Sequence, residues 1–267
     1  MGDFVTNPPR VAIVSRFSMP KVVGGDGDNA ETDRQAASRL LNRLSIDEAM
    51  AIELLTLILD IAITPIGSVT ESPRAINRGK QYQTNSIANM WALPSKELTV
   101  AAESKFSDLW PVVSAGTAKS RHFLTVALRR YALALSRPSL DDKLIDLMIC
   151  AEAIFLRVEK GELTYKLAYR AALLLGENPV QQKDIFKFIG EAYDMRSKVV
   201  HGNKSFTQDS TGSERLNLII TRLSELLRQS LLKMLALALN PQATRDLIDW
   251  KDLMFRETAP LDVTALN

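Results

Sequence analysis

Residues 163–202 read LTYKLAYRAALLLGENPVQQKDIFKFIGEAYDMRSKVVHG, and this stretch decides the fold because each of its two segments carries its own start or stop signal. Leu163 to Leu175 is apolar at three- and four-residue spacing and runs into Gly176, the residue type that most often ends a helix. Asn178 then offers a side chain that accepts a backbone N–H, and Pro179 suits the first helical turn, where its missing donor costs nothing. The spacing predicts a helix from there to about Val200, stopped by Gly202. A link as short as Gly176–Asn178 makes the two helices antiparallel neighbours.

The same signals extend outward. Lys119 to Leu135 reads as a helix, Ser139-Leu140-Asp141-Asp142 caps another that runs to about Val158 and is closed by Gly161, and a long helix is expected from Ser213 to Leu239. Asn240-Pro241 starts a terminal helix to about Phe255. Toward the N-terminus, Ser45-Ile46-Asp47-Glu48 reads as a capping box opening an apolar helix to about Thr64, stopped by Pro65 and Gly67. Residues 65–94 read as irregular with a short helix around Ser86 to Leu93, and a further helix from Ser95 is broken at Pro111 and Gly116. The expected fold is all-α. An antiparallel helical bundle occupies 113–257, a mostly helical region 30–112 precedes it, a flexible arm covers 1–29 and a tail 258–267.

Composition narrows the function. The chain has 267 residues, 46% hydrophobic and 24% charged, which excludes a disordered or collagen-like protein. Its single cysteine, Cys150, sits in an apolar run and cannot form an internal disulfide, so zinc fingers and iron–sulfur clusters are excluded and a reducing, cytoplasmic setting is expected. No membrane segment is expected, because the most apolar stretch, Ala49 to Ile63, is interrupted by Glu53 and Asp60 and falls short of the roughly 20 residues a span needs. The net charge of +2 hides an asymmetry: residues 119–240 carry 19 Lys and Arg against 13 Asp and Glu, and the remainder 14 against 18. The bundle is therefore the half suited to a polyanion.

Histidine chemistry has only His122 and His201 to use. His122 lies in a helical run, where a structural or exposed role suits it. His201 stands beside Gly202 at a helix end, five residues after Arg196. On an ideal helix that spacing separates the two side chains by about 140°, so convergence needs either local unwinding at the helix end or a second copy across a two-fold axis. The other reading of the pair is that both side chains cap carbonyls at a helix C-terminus. Glu152 and Arg170, charged residues on apolar helices, read as a structural ion pair. Tyr193 and Phe206 are the aromatic residues near the motif.

Arg196 to His201 resembles the Arg-x4-His form of the motif that marks HEPN domains. The surroundings resemble the Apea-like branch, through Ile149-Cys150-Ala151-Glu152-Ala153-Ile154-Phe155, through Lys166 to Gly176, and through Tyr193 to Gly202. The likeness covers residues 120–240. It implies a helical bundle that dimerises, bringing two motifs into one composite cleft that cuts RNA without a metal or other cofactor, in a defence or toxin setting. Arg196 and His201 carry over as catalytic. By charge and location, Ser197, Lys198, Asn203 and Lys204 are expected to contact the substrate backbone, and residues 30–112 to meet a regulatory partner. A non-catalytic helical module that binds nucleic acid or protein is the alternative.

Overall fold

In a computed structural model the described residues are 28–63, 67–70, 81–84, 98–114, 122–157, 161–201, 210–240, 247–250 and 253. Helices dominate them: α1 (Asp28–Leu59), α2 (Val100–Ser114), α3 (His122–Ser136), α4 (Leu140–Phe155), α5 (Leu163–Leu175), α6 (Pro179–Val200) and α7 (Ser210–Ala238). A short antiparallel ribbon, β1 (Gly67–Thr70) with β2 (Gln81–Thr84), lies between α1 and α2 in the chain. The architecture is an all-α bundle, as the periodicity predicts.

The capping residues of the central segment act as expected. Ser139 accepts the N–H of Asp142 at 3.4 Å and starts α4. Asn178 accepts the N–H of Gln181 at 3.0 Å, and Pro179 opens α6. Gly176 closes α5 through its N–H to the Ala172 carbonyl at 2.9 Å. Its backbone is extended, so the reason for glycine is space: a Cβ there would sit 2.5 Å from the Gln182 side chain and 2.8 Å from both the Ala172 oxygen and the Gln182 nitrogen.

Two helical hairpins, α3–α4 and α5–α6, follow from the short links, and α7 packs against both pairs and against α2. The stripe Leu216, Ile219, Leu223, Leu227, Leu231 and Met234 is buried along α7, so this helix is the spine of the core. One apolar cluster runs from Leu54 and Leu57 of α1 to Ile248. Arg228 of α7 ties α1 down, donating to the Leu57 and Ile58 carbonyls at 3.0 Å each, while the Tyr131 hydroxyl donates to Asp60 at 2.6 Å. Asp146 is buried and accepts from both Arg130 (2.7 Å) and Arg137 (2.8 Å), which clamps α3 to α4.

Four expectations need correction. Ser45 does not open a helix, because it lies inside α1, which runs unbroken from Asp28. Once residues 51–59 are nucleated by burial in the core, extending the helix backward is cheaper than starting anew at a cap worth only about 1 kcal/mol. The same helix ends at Leu59, before Pro65, because Asp60 adopts a left-handed backbone with φ 55°. Pro111 stands within α2 rather than breaking it. Its own side is exposed, and burial of Leu109, Val112 and Val113 at about 1.5–3 kcal/mol each outweighs a proline penalty of about 3 kcal/mol.

Within 65–94, residues 67–70 and 81–84 form an antiparallel ribbon in which Val69 and Tyr82 are register partners. The fourth correction concerns the terminal helix: Leu247, with φ 60°, through Asp249 are not helical, and the helical turn begins at Trp250. Ile248 is buried there and Trp250 meets Phe155 at 6.0 Å, so packing on the core sets this segment. The arm before residue 28, the short helix expected near 86–93 and the tail from 258 lie outside the described residues.

Candidate functional site

The motif spans the C-terminal end of α6, from Arg196 just before the last turn to His201 at the cap, and the helix determines where each side chain goes. Ile185, Phe188, Ile189, Ala192 and Met195 form its buried face. Arg196, about 40° around the helix from Ala192, falls at the margin of that face. It is half-buried, and its Nε is fully enclosed with no hydrogen-bond partner among the described residues. Other arginines of the bundle are engaged: Arg130 and Arg137 on Asp146, Arg215 on Glu191, Arg222 on Asp184, and Arg228 on two carbonyls.

His201 is exposed and caps the helix, with φ −80° and ψ 7° and its N–H donating to the Ser197 carbonyl at 3.1 Å. The helix is therefore regular through Val200, and no unwinding before His201 turns the imidazole toward Arg196. Within one chain the two side chains stay on different flanks. Ser197 is half-buried beside Arg196, and Lys198 is exposed on the flank of His201. Asn203 and Lys204, together with Phe206, lie outside the described residues.

Along α6 runs an open groove of about 430 Å³, bordered by Phe186, Lys187, Gly190, Asp194, Lys198 and, from α7, Arg215, and it ends at Lys198, short of His201. Lys187, Gly190, Asp194 and Lys198 all fall within about 60° of His201 around the helix. Glu191 also borders this groove and binds Arg215 at 2.5 Å.

Phe186, a wall of the groove, also meets a residue that spacing alone does not single out. Tyr165 and Tyr169 of α5 stack with ring centroids 5.8 Å apart, and Tyr165 meets the edge of Phe186 at 5.6 Å. The available signal was the four-residue spacing of the two tyrosines, but their placement beside Phe186 depends on the register of the α5–α6 hairpin. Tyr193, by contrast, packs half-buried against the core.

Elsewhere, His122 is exposed at the first position of α3. Cys150 is wholly buried, and that burial pushes its thiol far above the usual range, so it is inert as a nucleophile. Arg170 donates to the Phe155 carbonyl at 2.6 Å and lies over the Trp250 ring, a structural placement. Among the described residues no cluster of His, Cys, Asp and Glu has the makings of a metal site, and no helix is long and apolar enough to cross a membrane. Comparison with family models, curated proteins and solved structures finds no match to this chain.

Proposed function

We propose that the protein is an endoribonuclease of HEPN type that needs no metal and acts through a composite cleft built by two copies of the chain. The observation that carries this reading is the Arg196 Nε: a buried donor on a permanent cation, without a partner, five residues from an exposed imidazole. Buried polar groups almost always find partners, and a guanidinium that has none is suited to an incoming anion. A phosphodiester is that anion, and the excess of cations in residues 119–240 favours it.

His201 takes the proton of a ribose 2′-hydroxyl as its oxygen attacks the adjacent phosphorus, or returns one to the departing 5′-oxygen as the P–O bond breaks. Arg196 neutralises charge on the pentavalent phosphorane. The products are a 2′,3′-cyclic phosphate and a 5′-hydroxyl. Ser197, Lys198, Asn203 and Lys204 hold the flanking backbone. The buried Cys150 fits a cytoplasmic, reducing setting, and α1 and α2 supply a surface for a regulatory partner in a defence or toxin system.

The about 140° between Arg196 and His201 on one helix favours a second reading, a non-catalytic helical module that binds nucleic acid or protein. One experiment separates the two. Purified protein is incubated with RNA and a chelator, alongside Arg196→Ala, His201→Ala, and a mixture of both variants. The first reading expects cleavage by wild type, none by either variant alone, and about a quarter of wild-type activity in the mixture, where half of the dimers are heterodimers that regain one of the two arginine–histidine pairs. Equal trace activity in wild type and His201→Ala removes the catalytic assignment.

A further inference from the structure

A pair of stacked rings, exposed Tyr165 on Tyr169, adjoins the groove through Phe186 and stands outside the apolar core cluster. Tyr165 is 55% exposed, stacked on Tyr169 at an interplanar angle of 9° and set at 73° to Phe186. A large ring left open in this way exposes costly apolar surface, yet its orientation is fixed by two other rings. Phe186 is also a wall of the groove that continues past Gly190 to Lys198, on the flank of His201. Gly190 is in the interior of α6, where glycine costs about 0.5–1 kcal/mol relative to alanine. A Cβ built there meets nothing within 4 Å, so packing within the chain does not demand glycine. It leaves the groove floor low for a close approach from outside.

We infer that Tyr165, seated on Tyr169 beside Phe186, is a stacking shelf for a nucleobase, and that the groove past Gly190 leads a single RNA strand toward His201. This inference rests on the proposed function for the identity of its ligand. A base needs a flat π-face and extends the existing tyrosine stack by one ring, at an affinity independent of sequence. The phosphates that follow meet Lys187 and Lys198, while Arg215 is paired with Glu191 and Asp194 leaves the groove one net positive charge. An apolar protein segment fits less well, because covering this groove would desolvate its three cations and two carboxylates. From Phe186 to His201 the unbroken helix spans about 22 Å, a length that a few nucleotides cover.

The test uses the full chain carrying His201→Ala, so that RNA is bound without being consumed, and a short fluorescein-labelled oligouridine read by fluorescence anisotropy. Adding Tyr165→Ala is expected to weaken binding about tenfold, whereas Tyr165→Phe, which keeps the ring, stays close to the parent. Lys187→Ala is expected to weaken binding and to lower the salt dependence by about one counterion. The inference is overturned if the parent binds no RNA, if Tyr165→Ala binds as tightly as Tyr165→Phe, or if Tyr165→Ala alters only the oligomeric state in light scattering. Cleavage with His201 intact tells the two claims apart. Tyr165-dependent binding without cleavage keeps the shelf and removes the nuclease, while cleavage and binding indifferent to Tyr165 do the reverse.

Discussion

Replacing Arg196 by methionine is expected to make the protein more stable while abolishing the RNA cleavage proposed for it. The magnitude follows from the surroundings of the side chain. A buried donor without a partner costs about 1–3 kcal/mol, and the Arg196 Nε is such a donor. Methionine keeps an unbranched apolar stem and adapts to irregular space, so most of the packing survives. What is lost is the attraction of the guanidinium to the negative end of α6, worth about 0.3–1 kcal/mol in the last turn and less for Arg196, one residue before it.

The balance is a gain of about 1 kcal/mol, or a rise of about 2–4 °C in Tm for a chain of this size. Urea unfolding followed by far-ultraviolet circular dichroism, at one protein concentration for both forms and with equal denaturant slopes, measures it. A loss of 1 kcal/mol or more would refute the reasoning, because it would mean that Arg196 holds the helix end together. Arg196 would then be a structural cap, and the main support for the nuclease would be gone. A gain in stability with loss of RNA cleavage is the signature of a group kept for function at the expense of the fold.

Two further outcomes test the fold. Gly176→Ala is expected to destabilise by about 1–3 kcal/mol, since its Cβ collides with the backbone of Ala172 and Gln182 as well as the Gln182 side chain; unfolding as stable as wild type would show that the α5–α6 turn relaxes freely. Glu53 of α1 is held above the usual carboxylate range, to about 7, chiefly by burial and in opposition to the pull of Arg129. Folding therefore favours its protonated form, and the stability this provides is complete below the unfolded value of 4.5 and lost as pH rises through about 7. Glu53→Gln should flatten that decline and gain on the order of 1 kcal/mol at pH 8, after discounting for partial solvent exposure; a pH profile of urea midpoints unchanged by the substitution contradicts it.

The parts of the fold legible in the sequence are those set by contacts a few residues apart. Asn178 and Pro179 start α6 and Ser139 starts α4 because a side chain satisfies a backbone N–H three residues on, and nothing distant competes. Ser45 and Pro111 have equally strong local signals and were overruled, since residues 51–59 and the trio Leu109, Val112 and Val113 are buried in the common core. Local preference is worth about 1–3 kcal/mol at one position, less than the burial of several side chains. The site divides in the same way. Arg196 and His201 are legible as a spacing, but the enclosure of the Arg196 Nε depends on neighbours from the tertiary fold, as does the meeting of Tyr165 with Phe186.

The regularity of α6 through Val200 turns the separation of Arg196 and His201 into a constraint on assembly. A rigid helix that points two groups about 140° apart cannot wrap both around one phosphorus. With unwinding before His201 removed, cleavage by this pair requires the histidine of one copy to approach the arginine of another. The flank that has to face the second copy is then the one carrying His201, Lys198 and Asp194, the last two of which also line the groove that Phe186 borders at its other end. A dimer that closed the whole of this flank would shut the groove. A dimer meeting only at its His201 end leaves the shelf open and admits RNA from the Tyr165 side. Catalysis and strand entry are thus compatible only if the two copies touch near the C-terminal turn of α6 and diverge toward Phe186.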